Sequence, residues 1–344
     1  MTALAAAPLM PLRPVPWTRL AWVTWRRYRA TLAGVTGVLA ALAAYLVVSG
    51  ERMHSAYATL SACRPAHSAR CAFAYQTFHD TYSQPGILGV VLLFLPGIVG
   101  AFAGAPVLAR ELETGTFRYA WTQGAGRMRW AIAATIPGAV GVAAIIGIFG
   151  LLVTWYNTPL YDSGITPRLH ATVFPITGIA AAGWALAGFS LGALAGLLWR
   201  RVLPALATAF AVWFGLAFLA ANQLRAHYRA PLTTASLQLP GSDLSLNQWW
   251  ARHGARVPAD RINHILQAVG FQQSGSSGKV TVQPGSAPSI DPVHYLLRRG
   301  YTQITSYQPD SRYWPFQWIE FGWLTALSAA LLAVTLWTLR RRPA

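Results

Sequence analysis

Long apolar runs separated by short, arginine-bearing polar stretches set the rhythm of this chain. Five runs lie close together, at Thr31–Val48, Ile87–Leu108, Ala131–Trp155, Ala171–Trp199 and Leu203–Asn222. A sixth, Pro315–Leu339, follows the long polar region Gln223–Trp314. Each is long enough to cross a hydrocarbon core of about 30 Å as a helix. Ahead of the first run, Trp17 to Arg29 is amphipathic at helical spacing. Trp17, Leu20 and Trp25 can face lipid, while Arg19, Arg26, Arg27 and Arg29 face headgroups. That segment reads as an interfacial anchor or as a part of a coupling mechanism. The pattern predicts an all-α polytopic membrane protein with six transmembrane helices.

The polar intervals complete the plan. Residues 1–30 form an N-terminal region with the interfacial helix. Residues 31–222 hold five spans, 223–314 a separate polar region, and 315–344 the sixth span with a basic tail. Gly50–Gly86 reads as a polar loop, Asn157–His170 as a short turn-rich one, and the turn between the fourth and fifth spans as very tight. Within 223–314 the pattern gives an amphipathic helix around Leu246–Val269, a Gly/Ser-rich loop near Gln272–Ser277 and a short strand at Lys279–Gln283. The second span is interrupted by Pro96 and Pro106 and carries Gly100 and Gly104. Interrupted helices in transporters often line a cavity. Gly188, Gly192 and Gly196 repeat the small-residue spacing in the fourth span, where packing inside the bundle is favoured over a dimer seam.

Charge orients the spans. Only 11% of residues are charged, the mean hydropathy is +0.37, and the net charge is +17. Nucleic-acid binding would need that charge gathered on a soluble face. Here arginines cluster at the ends of apolar runs instead, so nucleic acid is not expected as a partner. Arg13, Arg19, Arg26, Arg27 and Arg29, then Arg110, Arg118, Arg127 and Arg129, then Arg200 and Arg201, then Arg340 to Arg342 fall on alternate flanks. The excess of arginine on cytoplasmic loops predicts cytoplasmic N- and C-termini. Region 223–314 is then a large extracellular part, too long for its arginines to count. No compact signal peptide precedes the first run, which reads as a retained anchor. The expected location is the cell membrane, as a multi-pass protein.

Few residues offer chemistry. Glu320 is the carboxylate inside an apolar run, a candidate gate by default. The alternatives are a structural ion pair, with Arg312 or Arg168, and a position at headgroup depth. Cys63 and Cys71 fall outside the membrane in this topology, where disulfides persist, so they are expected to pair. His54, His67 and His79 lie near them, but the spacing matches no standard zinc pattern, and no metal site is expected. Gly278-Lys279 lacks the first glycine and the Ser/Thr of a phosphate-binding loop. HExxH and GxSxG are absent as well. No catalytic residue is expected, and the chain should not hydrolyse ATP by itself.

One polar segment stands apart, Leu108 to Trp130, LARELETGTFRYAWTQGAGRMRW, the densest mixture of charges in the chain. Ala109 to Glu113 reads as the charged end of a helix leaving the membrane, Thr114-Gly115-Thr116 as a break, and Phe117–Thr122 as a short surface piece. With its Glu113-Thr114-Gly115-Thr116 element, this segment resembles the cytoplasmic loop of type-2 ABC exporter permeases. Tyr307-Gln308-Pro309, Ser311-Arg312, Trp314, Phe316-Gln317 and Glu320 resemble the last-span entry of an actinobacterial-type subgroup. The resemblance implies a permease subunit exporting an amphiphilic or hydrophobic cargo. It would pair with a second copy or a sister permease and with two copies of an ABC ATPase. ATP and magnesium would bind on that ATPase, and this chain would bind no cofactor. Loop 108–130 would carry the coupling contact, through Arg110, Glu111, Glu113, Gly115, Thr116 and Arg118. The rival reading is a membrane-anchored sensor or envelope assembly protein, whose exterior region binds a ligand without transport.

Overall fold

The computed structural model describes residues 16–65, 68–84, 86–114, 127–268, 271–274, 279–282 and 291–341. Six helices are long and apolar enough to cross a membrane. Helix α1 is Trp17–Ser61, α2 Ala69–Tyr82, α3 Gly86–Thr114 and α4 Arg127–Asp162. Helix α5 is Ala180–Trp199 and α6 Val202–Leu219, and the last span is a helix over Tyr313–Arg341. The chain divides into two units, one built from residues 1–160, 171–222 and 314–344, the other from 161–170 and 223–313.

In the first unit several elements run further than the hydropathy pattern predicts. The expected interfacial helix and first span are one continuous 45-residue helix, about 68 Å long at 1.5 Å per residue. No proline or glycine interrupts Arg29-Ala30-Thr31, so nothing ends the helix there. It also passes through Gly50 into the expected polar loop, most of whose remainder is α2. Polarity had marked that interval as loop, whereas outside lipid a polar helix is stable once one face is packed. Phe78 and Cys71 are the buried positions of α2. Pro96 and Pro106 sit inside a continuous α3. The backbone bonds a proline removes are tolerated where neighbouring helices enclose the segment, and Pro96 is buried. The fourth span begins later than its hydropathy, at Ala180, after a 3-10 turn at Phe174–Ile176. The tight turn to the fifth span is present: Arg200 takes a left-handed conformation, φ 55°, and Arg201 leads into α6.

What joins these helices is close approach more than oil. Lipid tails are as apolar as leucine, so association in a membrane depends on backbone packing through small residues. Gly100 and Gly104 of α3 lie against the backbone of α5 at Ala185 and Phe189. Gly188, Gly192 and Gly196 of α5 lie against Gly97, Ala105 and Ala109 of α3. A Cβ on Gly192 would stand 2.7 Å from the Ala105 nitrogen, and one on Gly196 2.6 Å from the Ala105 oxygen. The fourth-span glycines therefore form a seam inside the bundle. Helix α6 joins through Ala205 and Ala209 against Ala101, Ala105 and Ala195. Helix α1 docks on α4 where His54 Nε2 donates to the Trp155 carbonyl at 3.0 Å and stacks on that indole.

The second unit corrects the all-α expectation. It holds an antiparallel four-stranded sheet in the order β1-β6-β2-β3, with β1 Leu232–Thr234, β2 Leu244–Arg252, β3 Ala255–Val257 and β6 Tyr301–Gln308. A separate hairpin pairs β4, Phe271–Ser274, with β5, Lys279–Val282, in line with the strand expected at Lys279. The helix expected over Leu246–Val269 is a strand in its first half. Helix α7 covers only Ala259–Gln267, and α8 is Pro292–Arg298. By chain order the last span, Tyr313–Arg341, is α9. The division at 253–254 comes from a two-residue turn with both φ positive, His253 at 50° and Gly254 at 79°. That conformation suits the tight turn of a hairpin and cannot continue a helix. One sheet face packs Trp250, Val257 and Tyr301 against Ile262, Ile265 and Leu296 of α7 and α8.

Candidate functional site

The charged segment begins on α3, which carries Arg110, Glu111, Glu113 and Thr114 to its last residue. Helical rotation separates the two carboxylates. Glu111 is turned inward, 3% exposed, while Arg110, Glu113 and Thr114 are exposed. The Thr114 hydroxyl donates to the Arg110 carbonyl at 2.9 Å, answering one carbonyl that the helix end leaves open. Two carboxylates in a last turn that holds no basic residue oppose the helix dipole, whose negative end lies there. Gly115, Thr116, Arg118 and the Phe117–Thr122 piece lie outside the described residues. The chain resumes at Arg127, where α4 begins. The glycine seam holds α3 directly to α5, so the charged end sits on a helix with a close-packed neighbour along its length.

Deeper in the same unit is a buried polar cluster around Glu320, which is 0% exposed. Trp184 Nε1 donates to Glu320 Oε1 at 2.7 Å. The Trp184 carbonyl accepts from Trp213 Nε1 at 3.0 Å. One helical turn before Glu320, Gln317 Oε1 accepts from the Ala180 nitrogen at 2.7 Å, and its Nε2 donates to the Phe174 carbonyl at 3.3 Å. The Trp184 ring meets Trp213 and Trp323 edge-on, with centroids 5.6 and 5.8 Å away. The fourth, fifth and sixth spans thus meet at one tryptophan. In lipid a buried carboxylate or amide without hydrogen bonds is costly, and each of these makes at least one. Trp184 was not singled out in the sequence, and Gln317 stood there only within the last-span motif, without a role of its own. The one available signal was Gln317 lying three residues before Glu320, on the same helical face.

The two arginines considered as partners for Glu320 have contacts inside the second unit. Arg312 donates through Nη1 to Gln308 Oε1 and to the Ala230 carbonyl. Arg168 lies 3.4 Å from Asp162 and 3.7 Å from Asp310, with its guanidinium over the Tyr161 ring. His170, in the same unit, has its pKa lowered below 6.5, first by burial and then by the positive charge of Arg225. Cys63 and Cys71 are joined by a disulfide that ties the end of α1 to α2, with their Cα atoms 5.8 Å apart. Nearby, His79 contacts Asp80 at 3.2 Å, and His67 lies outside the described residues. Among the described residues no group of His, Cys, Asp or Glu is gathered to hold a metal ion.

Comparison with known proteins gives a family match. Residues 36–225, more than half of the chain and running from within its first span through its fifth, match the family described as ABC-2 membrane transporter related. No curated protein and no solved structure matches. Six spanning helices whose second and third are joined through a charged segment, together with that match, make this chain a member of the ABC-2 membrane transporter related family.

Proposed function

We propose that the chain is the permease subunit of an ATP-driven exporter, coupled to a separate ABC ATPase through residues 108–130. The observation that carries this reading is the end of α3, where exposed Arg110 and Glu113 follow an apolar span in a chain of this family. Glu113 works against the helix dipole there while facing outward, so its value lies with a partner and not with the helix. A basic or hydrogen-bond-donating groove on an ATPase would supply what the helix end lacks. Closure of the ATPases on ATP would displace this end, and the glycine seam would carry the displacement from α3 to α5. Gly115, Thr116 and Arg118 would belong to the same coupling contact.

The same reading puts both termini in the cytoplasm and residues 223–314 outside. Two ATPase copies, a second permease copy or a sister permease, and an amphiphilic or hydrophobic cargo complete it. The likeness of Trp314 to Glu320 to the last-span entry of actinobacterial-type exporter permeases supports it. Pull-down of the tagged chain in mild detergent, followed by an ATPase assay, tests it. A stoichiometric nucleotide-binding subunit that is lost with Glu113→Ala is the expected result. Well-folded protein with neither partner nor ATP turnover would overturn the proposal and leave the sensor or assembly reading in its place.

A further inference from the structure

Besides Arg168, three further arginines in the second unit are each laid over an aromatic ring. The Arg252 guanidinium is 5.1 Å from the Tyr301 ring, Arg256 5.3 Å from Trp249, and Arg299 4.7 Å from Tyr295. The sheet register brings them to one end. Arg252 pairs with Tyr301 across β2 and β6, Arg256 lies opposite Ala251 across the hairpin, and Arg298 and Arg299 immediately precede the turn into β6. Arg252, His253, Arg256, Arg298 and Arg299 are all exposed. Among the described residues, none of the four arginines makes an ion pair. The nearest acidic groups in sequence, Asp260 and Asp291, stand at the starts of α7 and α8, away from the hairpin turn.

We propose that this end of the sheet binds a polyanion, a polymer carrying phosphate groups along its length. Stacking is what separates the patch from an ordinary basic surface. A guanidinium held over a ring has part of its rotamer freedom already removed, and its planar fork still points outward for a bidentate oxyanion. Three such forks on one sheet end match charges repeated along a chain better than a single small anion. The patch also lies at the Tyr301 end of β6, about 24 Å along the eight-residue strand from Gln308. Gln308 is the end that leads into the sixth span, so the forks stand at the far end of the strand from it. Arg252 and Arg256 lie on opposite faces of the sheet at that end, a spread that a flexible polymer can follow and a flat layer of headgroups follows less well. The choice of an envelope polymer over nucleic acid rests on the exterior placement proposed above, whereas the patch does not.

The test uses the full chain in nanodiscs of neutral lipid and fluorescent inorganic polyphosphate as the probe. Binding should weaken steeply with salt, as counterion release requires. R252Q/R256Q/R299Q should weaken it at least tenfold and flatten the salt dependence. R252K/R256K/R299K keeps the charge without the planar fork and should fall between. Unchanged melting temperatures separate lost binding from lost folding, and D260N/D291N serves as a control outside the patch. Equal binding by wild type and the glutamine variant overturns the proposal. So does binding to vesicles containing phosphatidylglycerol with none to polyphosphate, which would make the surface a lipid contact. H253C labelled by an impermeant maleimide on intact cells tests the exterior placement separately. Its failure would remove the envelope polymer as the partner and leave the polyphosphate result standing.

Discussion

Trp184 and Glu320 form a hydrogen bond of 2.7 Å between the fourth and sixth spans, and both side chains are wholly buried. Since the Trp184 carbonyl also receives the Trp213 indole, the two bonds at Trp184 locate three helices relative to each other. Removing the acceptor leaves a buried N–H with no alternative partner in hydrocarbon, a cost of about 1–3 kcal/mol. Glu320→Ala is therefore expected to lower the melting temperature in detergent clearly. Glu320→Gln keeps an acceptor oxygen and should stay close to wild type. Equal losses in both would mean that the negative charge, not the hydrogen bond, does the stabilising.

The glycine seam makes a positional prediction. A methyl group on Gly192 or Gly196 has no room, because the α3 backbone already stands within 2.7 Å. Overpacking of this kind costs about 1–3 kcal/mol. Gly192→Ala and Gly196→Ala should reduce the yield of monodisperse protein on size exclusion. Gly215→Ala and Gly322→Ala, where nothing lies within 4 Å, should not. Loss at all four sites would point to helix flexibility instead of contact.

The two carboxylates at the end of α3 should separate in function. Glu113 is exposed and Glu111 buried. Glu113→Ala is expected to abolish transport with unchanged membrane insertion and melting temperature, whereas Glu111→Ala should also lower stability. Gly115→Pro should behave as Glu113→Ala does. Normal transport in Glu113→Ala and Gly115→Pro would remove the coupling role from this segment.

His170 gives a pH dependence. Its pKa is lowered in the folded protein, by burial and then by Arg225, so the unfolded chain binds a proton more readily. Stability from this residue is then full above about 6.5 and declines as pH falls below it toward the folded pKa. Thermal unfolding of the chain between pH 7.5 and 5 should show that decline, and His170→Gln should flatten it. The same slope in the variant would assign it to another group.

The Cys63–Cys71 bond closes a short loop, with eight residues of separation, and a loop of that size stabilises by roughly 2–3 kcal/mol in the chain-entropy model. Cys63→Ser/Cys71→Ser should expose α2 to limited proteolysis while leaving the spans assembled. Labelling of both thiols without reductant in the wild type would contradict the pairing.

What the sequence determined by itself was the number and order of spans. An apolar run of bilayer length has nowhere else to go, and the arginines at its ends reinforce the reading. The tight turn at Arg200-Arg201 was legible for the same reason, since two spans leave no room between them. The GxxxG spacings in the second and fourth spans were visible too, yet only the tertiary structure made them partners of each other. Small residues announce close approach without naming the helix approached. Polarity misled between the apolar runs. Gly50–Gly86 is largely helix, and Leu246–Arg252 is strand, because in polar segments a residue's neighbours decide its conformation. Strand β2 exists by pairing with β6, whose Tyr301 is far away in the chain. Likewise Glu320 was conspicuous as a carboxylate in an apolar run, but its partner is an indole on another helix. A hydrogen bond between distant segments leaves no periodic trace, so only the packed bundle could reveal it.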